Sequence, residues 1–276
     1  MKAMVAVSAV VALGLTAGCG GSGGDGGLDG NGGSGGGGGR GSGRGEAKGT
    51  RGAVRILSTA QLRHVELGPR EVPGFQIERA GSGAAGGGRP VTDEASCRPL
   101  VEALGSRPRP APAASVVNTF AKAGEDLDFQ GLMGMIRVST YRGDGAVSTL
   151  DGLRSAAARC AGGFRMRTGE GEPQEFRAVR TLTAPRLGDE AVAYRLENAA
   201  ERAPSLITVV RSGATLAMFF ATSLADPEDV EIPPELVDAQ VAKLERAEQK
   251  APTVPPPSSP MAVGEGGEAG DSGDAG

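Results

Sequence analysis

Between residues 53 and 250 the apolar positions fall into short periodic runs, broken by glycine, proline and polar clusters. Ser58–Leu67 opens on Ser-Thr and carries Leu62, Val65 and Leu67, which predicts a short helix halted by Gly68-Pro69. Val72-Pro73-Gly74 then turns the chain into a strand at Phe75–Arg79, followed by a glycine loop over 80–90. Pro99 suits the first turn of a helix running to Leu104. The Pro-rich stretch 106–112 reads as an extended connector, leading to strands at Ala114–Lys122 and Leu132–Arg142. Val147, Leu150, Leu153, Ala157 and Cys160 recur near helical spacing and predict a helix over Gly145–Cys160.

The second half reads as four consecutive strands: Phe176–Thr183, Glu190–Glu197, Ser205–Arg211 and Ala214–Thr222. In Glu190–Glu197 the side chains Val192, Tyr194 and Leu196 alternate with Ala193 and Arg195, the mark of a half-buried strand. Ser212-Gly213 supplies a two-residue hairpin turn. Pro233-Pro234 opens a final helix with Leu236, Val237, Val241 and Leu244 on one face and charged residues opposite. Strands bracketed by helices predict an α+β single domain, an antiparallel sheet with a few helices packed on one face.

What flanks these runs cannot build a core. Residues 20–52 hold 19 glycines in 33 positions, and 251–276 hold five prolines, six glycines and four acids with no base. Neither stretch can bury enough apolar surface to offset chain entropy, so both are expected to be disordered. The domain is therefore placed at 53–250.

The first 18 residues read as an export signal. Lys2 is followed by thirteen apolar or small residues, Ala3–Leu15, too short for a permanent span but the length of a signal-peptide core. Ala17-Gly18-Cys19 then resembles a bacterial lipobox. That resemblance implies cleavage before Cys19, a diacylglyceryl group on its sulfur and an acylated (palmitate-type) amino terminus. Two or more acyl chains give a stable anchor, and a 33-residue glycine tether reaches roughly 30 Å. The expected place is the extracytoplasmic face of the cell membrane.

With Cys19 assigned to lipid, Cys97 and Cys160 remain, and a pair of cysteines in an exported domain reads as a disulfide. Two buried free thiols are the alternative.

Charge narrows the partners. The net −4 divides into +2 over residues 1–52, −4 over the tail and −2 over the domain. A near-neutral domain offers no footprint for nucleic acid. With no Trp and two Tyr, aromatic stacking platforms are scarce. His64 is the only histidine, so a His-based zinc site or catalytic triad would rest on one ring at the edge of a short helix. Gly81–Gly86 fits a dinucleotide fingerprint, but Gly87-Gly88-Arg89-Pro90 follows where a helix must open. The G-G-x-G-x-D and G-x-S-x-G matches inside the glycine tether lack the repeats and the strand–turn–helix context those motifs need. Asp226, Glu228, Asp229 and Glu231 lack the spacing of a calcium loop and read as a solvated lead-in to the last helix. No metal and no cofactor is expected.

A set of short motifs then resembles a group of exported actinobacterial proteins: envelope lipoproteins and the extracellular sensor domain of the PknH-type membrane kinases. The carriers are Leu57-Ser58-Thr59-Ala60-Gln61-Leu62 with Pro73-Gly74-Phe75, Cys97-Arg98-Pro99-Leu100, Val209-Val210-Arg211-Ser212-Gly213, and the helix Pro234–Leu244. The resemblance implies an α+β domain with a cleft beside the sheet, ligand-sensing or protein-interacting and not catalytic. One cysteine pair stands here where the kinase domains carry more.

The leading expectation is a lipid-anchored, non-catalytic domain that binds a ligand or partner in the cell envelope. Leu216, Met218, Phe219 and Phe220 are the candidates to line an apolar cleft, or else to be plain core. A structural or protein-docking module of envelope assembly is the alternative. A hydrolase using carboxylates such as Asp126, Asp128, Asp151 or Glu190 is a third reading, in want of a facing pair.

Overall fold

The computed structural model describes residues 55–81, 88–105, 107–124, 128–200, 203–225, 228 and 230–251. Cys19, the 20–52 tether, the tail from 252 onward, Asp126, Asp226 and Asp229 lie outside the described residues.

Among the described residues eight strands form one antiparallel sheet. In chain order they are β1 (Phe75–Arg79), β2 (Ala114–Ala123), β3 (Phe129–Thr140), β4 (Phe164–Arg167), β5 (Pro173–Thr181), β6 (Glu190–Asn198), β7 (Ser205–Ser212) and β8 (Thr215–Ser223). Across the sheet the order is β1-β2-β3-β8-β7-β6-β5-β4. The two edges are therefore β1 and β4. Among the described residues four α-helices accompany it: α1 (Thr59–Val65), α2 (Arg98–Leu104), α3 (Gly145–Arg159) and α4 (Pro234–Lys250).

Local chemistry accounts for the helix ends. Ser58 caps α1, its Oγ accepting from the Gln61 amide while the Gln61 side chain accepts from the Ser58 amide, a reciprocal capping box. Pro234 occupies the first turn of α4, where no amide is needed. The β7–β8 hairpin closes one residue later than Ser212-Gly213: Ser212 pairs with Thr215, and Gly213 leads the two-residue turn at φ +52°.

The helices do not share one face of the sheet, contrary to the sequence expectation. In β7, Leu206 and Val210 belong to one core, while Ile207 and Val209 belong to the other. In β8, Ala217, Phe219 and Ala221 face the first, and Leu216 and Met218 the second. The first core packs α1 and α4 onto one face, with Leu62, Phe75, Ile77, Phe120, Ile136 and Leu244 buried. The second packs α2 and α3 onto the opposite face, with Leu100, Leu150, Leu153, Phe176, Tyr194 and Leu196 buried. Period-2 side chains on a strand covered from both sides must be apolar at every position, as Leu206–Val210 and Leu216–Ala221 nearly are.

Cys97 and Cys160 are joined in a disulfide with Cα atoms 5.9 Å apart. It ties the 3-10 turn before α2 to the residue that closes α3. The bond sits within the second core, where both cysteines are buried.

Candidate functional site

Because α2 is only seven residues long, it covers only part of its face. Beyond its end the side chains of β2, β3 and β8 are left uncovered, and they floor a cavity of about 260 Å³. Register builds the floor in rows. Val117, Arg137 and Met218 lie side by side across β2, β3 and β8, and Met135 lies beside Phe220 in the next row. Ala103, Leu104 and Gly105 of the α2 end form one wall; Met166 of β4 and Phe176 of β5 form the other. The mouth is bounded by Gly88 and by Thr168, Gly169 and Glu170 of the β4–β5 turn.

At that mouth two backbones touch directly. A Cβ on Gly88 would fall 2.0 Å from the Gly169 carbonyl oxygen, and one on Gly169 would fall 2.7 Å from that of Gly88. Only glycine at both positions permits the approach.

Arg137 sits at the inner end of the cleft. It is 5 % exposed, and it also lines a second, smaller cavity of about 70 Å³ beside Tyr141 and Leu216. Its Nη1 donates to the carbonyl of Gly105 and its Nη2 to that of Ala103, both at 2.6 Å, and Nη2 also meets Met218 Sδ at 3.5 Å. These bonds satisfy carbonyls that α2 leaves open at its C-terminus. Nε is buried with no acceptor among the described residues. Burial pulls the guanidinium below its ordinary value, and the Tyr141 side chain offsets part of that. Burial likewise pushes the Tyr141 phenol up, with Arg137, Thr149 and Ser139 pulling back, so the ring keeps its proton at neutral pH.

Of the four residues proposed from sequence for a cleft, three reach one. Met218 lines both cavities, Phe220 the larger and Leu216 the smaller. Phe219 points through the sheet into the first core. Arg137 was not singled out from sequence; its one signal is a cation inside the apolar run Met135-Ile136-Arg137-Val138.

Of the candidate hydrolytic carboxylates, Asp151 and Glu190 are gathered onto a shared cation. Arg154 bridges Asp151 at 3.1 Å and Glu190 at 2.9 Å, and Glu190 also meets Arg211. Arg154 first, with Arg211 behind it, holds Glu190 below the usual carboxylate range, the opposite of a general acid. Asp128 is exposed just ahead of β3, and His64 is exposed in the last turn of α1. Glu228 and Glu231 are exposed, and the Glu228 carbonyl accepts from Arg195. Among the described residues no three His, Cys, Asp or Glu side chains converge as a metal site. None of their helices is long and apolar enough to cross a membrane.

No protein-family model matches the chain, and no curated protein matches it in sequence. Among solved structures it is similar to the extracellular domain of PknH from Mycobacterium tuberculosis, with a TM-score of 0.49 and 10% identity, over 71% of this chain and 98% of that one. It is also similar to an uncharacterized Mycobacterium smegmatis protein, the Rv0999 ortholog, with a TM-score of 0.30 and 13% identity, over 72% of this chain and 97% of the other.

Proposed function

We propose that this chain is a non-catalytic extracytoplasmic domain that binds a small apolar or amphiphilic ligand of the cell envelope in the cleft between α2 and the β4–β5 hairpin. Residues 1–18 would direct export, and acyl groups on Cys19 would hold the domain to the outer face of the membrane through the 20–52 tether.

One observation carries the reading: an open cavity walled by Leu104, Val117, Met135, Met166, Phe176, Met218 and Phe220. Binding sites are typically concave and mostly apolar, with a few polar groups to orient the ligand. Methionine supports such a role, because its flexible thioether adapts to varied shapes.

Mass spectrometry of the protein released gently from its native envelope tests both halves. The expected result is a diacylglyceryl mass on Cys19 and a co-purifying amphiphile near one equivalent. An unmodified Cys19 overturns the anchor. Lipidated protein that neither carries nor takes up any amphiphile overturns the cleft reading and favours a protein-docking module of the envelope instead.

A further inference from the structure

The walls of the cleft are apolar, but its inner end is not. Arg137 is buried in that wall and forms no ion pair among the described residues. Guanidinium keeps its proton in proteins, so the cleft holds a full positive charge. What faces that charge is neutral: the carbonyls of Ala103 and Gly105, the thioether of Met218 and the protonated phenol of Tyr141. The end of α2 contributes at most about half a negative charge. A buried ion left half-compensated is costly. Other charged side chains on the two cavities are Glu170, exposed at the mouth, and Glu102 and Arg109 on the far side of Arg137. Water screens Glu170 where it stands.

We infer that the cleft selects an anionic amphiphile, with a carboxylate or phosphate-monoester headgroup directed toward Arg137 and an alkyl chain along Met135, Phe176 and Phe220. This rests on the cleft reading above and adds to it the sign of the ligand. A bound anion supplies the missing counter-charge in a site with little water, where such pairing is strongest. A neutral chain of the same length fills the same apolar walls and leaves the cation uncompensated. A cationic one adds repulsion.

The test is a headgroup series on one tail, using the full-length protein: decanoate, decyl phosphate, decanol and decyltrimethylammonium, with bound equivalents counted by native mass spectrometry. The expected result is that at least one of the two anions binds about tenfold or more tighter than decanol, with the cation weakest. Which anion leads separates a fatty-acid source from a phosphate-ester source. In R137M the anions are expected to fall to the level of decanol. Because the series is read on the unmutated protein, it stands even if R137M fails to fold. Decanol equal to both anions, or a leading cation, overturns the inference and leaves Arg137 as a helix cap, with the cleft reading intact. Binding of no member of the series overturns the cleft reading itself, and this inference with it.

Discussion

The hydroxyl of Ser212, at the end of β7, donates to the carboxylate of Glu248 in the last turn of α4. The contact pins the C-terminal helix to the β7–β8 hairpin from the first-core side. It also places a carboxylate where water barely reaches, since Glu248 is 9 % exposed. Burial pushes that carboxyl up from its ordinary value. The hydroxyls of Ser212 and Thr215 offset part of the shift, and the Asp189 and Glu245 charges add to it.

A carboxyl whose value is raised on folding stabilises the fold fully below its unfolded value, and loses that contribution as pH rises through the folded one. Glu248 therefore costs stability at neutral pH. E248Q, which keeps the shape and can still accept from Ser212, is expected to raise Tm at pH 7.5 by about 2–4 °C, for a gain near 1 kcal/mol. At pH 4 the variant and the parent should converge. Thermal melts at the two pH values check both the sign and the convergence.

α4 also completes α1. Gln240, fully buried, donates to the Val65 carbonyl at 2.7 Å, and Lys243 Nζ donates to that of Glu66 at 2.7 Å and to Glu71 at 2.8 Å. Q240A strands a buried carbonyl and is expected to cost about 1–3 kcal/mol in urea unfolding. K243A, whose ion-pair partner Glu71 is exposed, is expected to cost less than half as much.

The Cys97–Cys160 bond closes a loop spanning 63 residues of sequence separation. Loop-closure entropy for that length corresponds to about 4 kcal/mol. The double variant C97S/C160S is expected to unfold at correspondingly lower urea. Hydrogen exchange should rise first in α2 and α3, and only later in α1 and α4. Equal loss of protection over both helix pairs would contradict the separation into two cores.

At the cleft mouth, G88A forces a methyl into the Gly169 carbonyl. The two loops must part, while the cores beneath them are untouched. A Tm change within about 3 °C is expected, together with faster release of bound decanoate in a stopped-flow displacement assay.

Much of the fold was legible because long periodic stretches leave little choice. Gly145–Cys160, the alternation of β6 and the face of α4 all lie close to where the sequence put them. β4 was missed because Phe164 and Met166 are only two apolar positions, too few to establish a period. The placement of helices on both faces had a signal, the nearly continuous apolar runs of β7 and β8, but such a run alone is equally a segment of buried helix. In the cleft, the alternation that separates Met218 and Phe220 from Phe219 was present in sequence. Which parity faced the cavity depends on which face of the sheet α2 packs against, and that is a tertiary fact. Arg137 was hidden for a different reason: its partners at Ala103 and Gly105 lie more than thirty positions away, and backbone carbonyls leave no trace in side-chain identity.

Leu57 and Ala251, near the two ends of the described chain, are both buried in the first core. Chain enters and leaves the domain through the same side of the sheet, and α1 is hydrogen-bonded straight to α4 across that side. A pull transmitted between the two ends therefore loads the α1–α4 contact first, and reaches the disulfide-stapled face only through the shared strands of the sheet. The floor of the cleft is the reverse side of the strands on which α1 and α4 pack, so one layer of backbone separates the two ends of the described chain from Arg137 and Met218.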